Sequence, residues 1–355
     1  MKKWFFISIL LFLFGCDNQY DILNQHPQEK AIPIDRSEFM QNVMDTIQLE
    51  NSEIIITNPY KNKGLLKLKG SMHNHSNNSL AVEGFASGAP DATAVKFRDQ
   101  AGYDFYTFTD HNYVTEDPGV TGIVWMGRSV EDTKNTQHLN IYNLPAGYKY
   151  VNVGDNIQKL IDHYRDLGAI VCYNHPGWAP QVQSDSKIVS VVDLDFVEVI
   201  NSISGVDERA FDLLLSKGFP VFGFAVDDYH NNSAWGDPNR YFNKAYVIAF
   251  AEKKERSSIW KALLSGCFYA TQGAEMDIRC DKGMIMVSSN KQSTFEFIGL
   301  NVQSPGGGTV LSTSTNVQEA SYRIEGNEGY VRVRVVNSDG AAYSQSFVIQ
   351  SILNK

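Results

Sequence analysis

The chain is short of several things. Its 355 residues hold only 4 cysteines, at positions 16, 172, 267 and 280. Spacings that wide give neither a disulfide framework nor a Cys-x-x-Cys metal clip. Cys172 falls in a buried-strand pattern, pairing of Cys267 with Cys280 is left open, and cysteine is not the catalyst. No basic block occurs and the net charge is −9, which argues against nucleic acid as the main partner. The longest apolar run, Trp4–Phe14, has eleven residues, too few to span a hydrocarbon core of about 30 Å as a helix. Gly-x-Ser-x-Gly elbows, phosphate-cradling Gly-x-x-x-x-Gly-Lys loops, long repeats and low-complexity tracts are absent. What is present is 43% hydrophobic residues, enough for a packed core, which excludes a disordered or fibrous chain.

The first sixteen residues read as an address. Lys2 and Lys3 precede the apolar run, and Gly15 stands before Cys16, the order of an export signal. Leu13-Phe14-Gly15-Cys16 resembles a bacterial lipobox. The resemblance implies a signal peptide over 1–15, cleavage before Cys16, acylation of that cysteine and a lipid anchor outside the cytoplasm, at the cell envelope.

Residues 16–65 are polar and are expected to form a tether and N-terminal extension that becomes ordered near Ile54–Ile56. From 66 to 272 short apolar runs alternate with helical stretches. Strands are expected at Leu65–Lys69, Tyr103–Thr109, Gly122–Met126, Leu139–Tyr142, Ala169–Tyr173, Phe196–Ile200, Val221–Val226 and Ala245–Phe250, and helices at Pro90–Gln100, Asn156–Leu167, Glu208–Lys217 and Ser257–Leu264. Such alternation predicts an α/β domain with a largely parallel sheet or barrel. The remainder, 273–355, is β-rich and predicts a small sandwich-like all-β domain; Tyr330–Val335 alternates as a half-buried strand does.

The 8 histidines are ordinary in number and unusual in place. His73-Asn74-His75 follows the first strand of the α/β region, Asp110-His111 closes the second, and Glu131 and His138 lie between the next two. Asn174-His175-Pro176 and Asp227-Asp228-Tyr229-His230 close later strands, and Glu198 lies within another. Strand ends of a parallel α/β barrel converge on one face. His-x-His on an extended chain aims both rings to the same side, a two-pronged metal grip, and Asp228-x-His230 repeats the spacing. Imidazole with carboxylate suits Zn, Mn or Fe rather than Ca or Mg. Singly, each motif is more often a surface histidine pair, a cap or a turn; their joint order carries the signal. His26, in the tether, and His163, on a helix, are read as structural or solvated.

The whole set resembles the PHP (polymerase and histidinol phosphatase) family over about 66–272, nearest the branch that includes carbaryl hydrolase. The resemblance implies a distorted (β/α)7 barrel with two or three divalent transition-metal ions at one end. It assigns His73, His75, Glu131 and Asp228 to one ion and Glu131, His138 and His175 to another, Glu131 bridging, with Asp132 the neighbouring alternative. A third position in the family uses matches of His111 and His230 and an Asp or His soon after His-x-His. Here that stretch, Ser76–Ala81, has neither, so a third ion is expected to be weak or absent, leaving His111 and His230 to face the substrate.

The chemistry expected is hydrolysis by a metal-bridging hydroxide, two cations lowering the pKa of water from about 15.7 toward 7. Asp110 would orient His111, and His111 or His230 would protonate the leaving oxygen. Arg240, Trp235 and Trp178 are the candidate substrate contacts. A phosphoesterase leads. Hydrolysis of a carboxylic ester, carbamate or amide is the second reading, and a non-catalytic surface-binding lipoprotein the third.

Overall fold

The computed structural model describes residues 21–22, 32–33, 43–48, 53–79, 88–134, 137–230, 237, 239–300 and 308–352. The expectations for the signal peptide, Cys16 and Trp235 lie outside the described residues.

Two sheets frame the α/β region. In the first, Leu66–Ser71 pairs in parallel with Phe105–Tyr106, which pairs in parallel with Val124–Trp125. The other edge of Leu66–Ser71 pairs antiparallel with Tyr246–Ala251, and that strand with Phe268–Thr271. The second sheet runs Ser129–Asp132, Leu139–Tyr142, Ile170–Tyr173, Phe196–Asn201, Phe222–Val226. Its first two pairings are antiparallel and its last two parallel. The helices fall where their caps and apolar faces put them. Asn156 accepts a hydrogen bond from Lys159 N at 3.0 Å to start Ile157–Asp166, which buries Leu160, Ile161 and Tyr164. Asp207 caps Glu208–Ser216 in the same way, and Leu213 and Leu214 face the second sheet's core.

The pairing does not by itself show the expected distorted (β/α)7 barrel. The fold is mixed α/β and strand-rich, with antiparallel neighbours in both sheets. Two isolated parallel bridges, Asn74 with Tyr229 and His111 with Glu131, tie one sheet to the other. One of the antiparallel pairs comes from Ser129–Asp132, a short strand that carries Glu131 and pairs back on Leu139–Tyr142. Four residues give too little periodicity for this strand to show in the sequence.

Among the described residues the regular elements of the C-terminal part are all strands. Met284–Leu300 and Gly308–Arg323 form a long hairpin, and Met284–Leu300 also pairs with Tyr330–Asn337. All of it belongs to the first sheet, because Gly340–Ser344 pairs with Phe268–Thr271 across the 272/273 boundary. Glu53–Thr57 and Met44–Gln48, from the N-terminal extension, pair onto Phe347–Ile352. One apolar cluster, including Ile56, Phe268, Phe297 and Val333, runs through both parts. Gln345 lies between Gly340–Ser344 and Phe347–Ile352; its amide accepts from Gly223 N at 2.7 Å and donates to Gly223 O at 2.9 Å.

The half-buried alternation expected of Tyr330–Val335 is modified at Arg332, which is 1% exposed. Helix Glu208–Ser216 covers that face and supplies carboxylates. Arg332 donates from Nε and Nη2 to the two oxygens of Asp212, both at 2.7 Å, and from Nη2 to Glu208 at 2.6 Å. Tyr330 OH adds a bond to Asp212 at 2.9 Å.

Candidate metal centre

The strand ends deliver the histidines as a group. His75 N donates to Tyr229 O at 2.8 Å and Asp228 N to His73 O at 3.1 Å, so the chain after Leu66–Ser71 is fastened to the chain after Phe222–Val226. The His73 and His75 Nε2 atoms face each other at 3.1 Å. Asp228 Oδ1 lies 3.2 Å from the first and 3.1 Å from the second. Glu131 Oε2 lies 3.3 and 3.5 Å from the same two atoms. Metal–ligand bonds of about 2.0–2.2 Å put tetrahedral ligands about 3.3–3.6 Å apart, so these separations suit four donors around one cation.

Glu131 reaches a second group with its other oxygen. Oε1 is 3.2 Å from His138 Nδ1 and 3.2 Å from His175 Nε2, and it accepts from Asn174 Nδ2 at 3.0 Å. A third group joins His75, His111 and His230, the His75 and His230 rings stacking at 4.0 Å. His111 Nε2 approaches Glu131 Oε2 to 2.8 Å, and His230 Nδ1 lies 2.8 Å from Asp228 O. Among the described residues no carboxylate belongs to this third group; Ser79 Oγ stands 3.2 Å from His75 Nδ1. Two donors hold left-handed backbone, His175 at φ 23° and Asp228 at φ 52°, a strain that clusters at functional sites.

The electrostatics leave the donors ready for a cation. Burial would raise the Glu131 and Asp228 carboxyls, but His73 above all, with the other imidazoles, holds both well below the usual carboxylate range. Burial would lower His73, and Asp228, Glu198 and Glu131 raise it instead. His75 is pushed down to about 3 by burial and by His230 and His111, which leaves its lone pair available. Among the described residues, the ion-pair partners of Glu131 and Asp228 are all imidazoles. Glu131 Oε2 is buried and accepts no aligned hydrogen bond. A buried carboxylate oxygen ringed by imidazole nitrogens is an anionic position that a divalent ion fits.

Other expected residues fall in varied places. Asp132 turns the opposite way from Glu131, accepting from Tyr164 OH at 3.1 Å. Asp110 is fully buried and accepts from Ser76 N at 2.6 Å, Ser76 Oγ at 2.7 Å, Ser79 Oγ at 2.9 Å and Thr115 Oγ1. Its carboxylate thus fastens the chain after His-x-His, and Ser79 Oγ relays that to the His111 backbone N–H at 3.0 Å. Trp178 packs against His138 and His175, ring centroids 5.7 and 5.4 Å away. Arg240 is exposed, in a turn with Asp237, its guanidinium 5.1 Å from the Tyr241 ring. His163 lies on its helix, 3.5 Å from Tyr148 OH.

The sequence reading gave Glu198 no role in the site and passed over Asn201. Glu198 Oε1 is 2.6 Å from His73 Nδ1, and Asn201 Nδ2 donates to Asp228 Oδ2 at 3.1 Å. The presence of Glu198 in a strand neighbouring the histidines was a signal; Asn201 offered none, since three places along a regular strand point to the opposite face.

No protein-family model matches the chain, and no curated protein does either. Among solved structures it is similar to a two-domain protein from Bacteroides vulgatus containing a predicted PHP-like metal-dependent phosphoesterase. That likeness covers 86% of this chain and 98% of the other, at 14% identity and a TM-score of 0.46.

Proposed function

We propose that the chain is a metal-dependent hydrolase, a phosphoesterase by preference, with two divalent transition-metal ions of the Zn, Mn or Fe kind. The observation that carries this is the reach of Glu131, whose Oε2 sits with His73, His75 and Asp228 while Oε1 sits with His138 and His175. One carboxylate shared by two donor groups is how a pair of ions is held about 3.5–4 Å apart. Bound there, such ions supply an activated water and neutralise charge developing on a phosphoryl oxygen.

The remaining work falls to this chain's own groups. His111 and His230, 15% and 7% exposed, border the cluster and are assigned to hydrogen-bond the substrate and pass a proton to the leaving oxygen. Asp110 holds the loop beneath them. Trp178 offers an aromatic wall to the leaving group; Arg240 and Trp235 keep the substrate-contact roles that their loop after His230 suggests. The lipobox-like pattern supports an envelope location with the chain tethered through Cys16.

Metal analysis of purified protein, together with a screen of phosphate monoesters and diesters, tests the activity. Phosphate release that survives His75→Ala would sink it, and turnover of carbamates or esters with none of phosphates would replace it with the second reading. Labelled fatty acid that enters the wild type and not Cys16→Ala tests the anchor.

A further inference from the structure

Strand Phe196–Asn201 is irregular at one place. Its register against Phe222–Val226 pairs Glu198 with Phe224 and then Ile200 with Ala225, so one extra residue, Val199, is accommodated between them. Such a bulge re-aims the side chains beyond it and is common beside active sites. In a regular strand Glu198 and Asn201 would face opposite sides; here both point at the ligand cluster, each 1% exposed.

Their contacts reach both donor groups. Glu198 Oε1 takes the hydrogen of His73 Nδ1 at 2.6 Å, which leaves His73 Nε2 to face His75 and Asp228. Glu198 Oε2 accepts from the backbone N–H of His175 at 2.9 Å, the residue held at φ 23°, and from Asn201 Nδ2 at 3.0 Å. The same Asn201 nitrogen donates to Asp228 Oδ2 at 3.1 Å. The two oxygens of one buried carboxylate therefore hold a donor of the first group and the backbone of a donor of the second.

Resting on the two-ion reading above, we infer that Glu198, with Asn201, is the positioning device that couples the two ion positions. Glu198 is no ligand itself; it fixes the ring of His73 and the backbone of His175 together. A glutamine has the same shape and only one accepting oxygen. In Glu198→Gln either the His73 bond or the His175 bond is lost, and the tie between the groups goes with it.

The experiment is titration of chelator-treated protein with Co²⁺, followed by calorimetry and by the visible spectrum of the bound ion. The wild type takes up two ions. Glu198→Gln weakens both, by about 10–100-fold, with an altered spectrum, while its circular dichroism stays that of the wild type. Asn201→Ala, a milder change that keeps the assay meaningful should Glu198→Gln not fold, weakens Co²⁺ binding by about tenfold. Unchanged affinities in either folded variant, or weakening of a single position in Glu198→Gln, overturn the coupling while the metal site stands. Wild-type protein that takes up no Co²⁺ overturns the metal site, and the coupling with it.

Discussion

Two clusters of buried charge hold this molecule together, and they are balanced in opposite ways. At the strand ends Glu131 and Asp228 are surrounded by imidazoles and Glu198 meets one, His73, groups whose positive charge exists only while a proton is bound. Between helix Glu208–Ser216 and strand Tyr330–Asn337, Asp212 and Glu208 meet the permanently charged guanidinium of Arg332, with Arg334 and Glu296 at the half-exposed border. In the second cluster the carboxylates are met by guanidinium groups of the chain itself. In the first, the compensating charge is exchangeable, and a divalent ion can take the place of protons. A carboxylate with a fixed partner belongs to the fold, and one with a titratable partner is available for chemistry.

The sharpest separation of the two comes from deleting one carboxylate in each. Glu131→Ala is expected to lower kcat/KM on the best phosphoester by at least a thousandfold, about 4 kcal/mol, with a smaller shift of the urea midpoint in chelator than Asp212→Ala causes. Asp212→Ala leaves Arg332 buried without its bidentate partner. It should cost about 3–5 kcal/mol of stability by urea unfolding, with activity per folded molecule retained. If the two phenotypes exchanged places, the division of labour drawn here would be wrong.

Next in size is the ion itself. Saturation at one hundred times Kd stabilises the wild type by about 2.7 kcal/mol per site, read as a rise in melting temperature over chelated protein. Asp212→Ala should show the same increment and Glu131→Ala little of it.

The pH dependence of metal-free protein separates the clusters again. His75 is held at about 3, below its ordinary 6.5, so its contribution is lost as pH falls from 6.5 toward 3, where only the unfolded chain takes the proton. His73 is held above its ordinary value, so its contribution is complete below about 6.5 and is lost as pH rises through the raised folded-state value. The urea midpoint in chelator should therefore pass through a maximum near neutrality, and divalent ion should remove the alkaline fall. Arg332, raised by Asp212 and Glu208 against its burial, does not titrate there. A flat profile in chelator would count against exchangeable charge at the site. The smallest effect belongs to Arg334→Ala: its side chain is 28% exposed, and removing it should cost no more than about 1 kcal/mol.

Much of this was legible beforehand for local reasons. Ile157–Asp166 and Glu208–Ser216 announce themselves by cap and apolar period, and Leu139–Tyr142 by a short apolar run. The residues brought together at the candidate site were legible as a set, because they follow strand ends in order and the His-x-His spacing aims two rings to one side of an extended chain. Ser129–Asp132 was not, being four residues long and held by a partner rather than by pattern. Nor was the burial of Arg332: an alternating Arg reads as solvent-facing until a helix from 120 residues earlier lies over it.

What the sequence by itself determined is the inventory and its spacing, namely which donors exist, which stand two apart, and where strands end to present them. Only the tertiary structure decided that Glu131 rather than Asp132 faces the imidazoles, that both its oxygens are used, and that a bulge turns Asn201 back toward Glu198. The reason is physical. Spacing along one strand is set by covalent geometry, whereas the face a carboxylate presents depends on register with a neighbouring strand, and register is settled by packing.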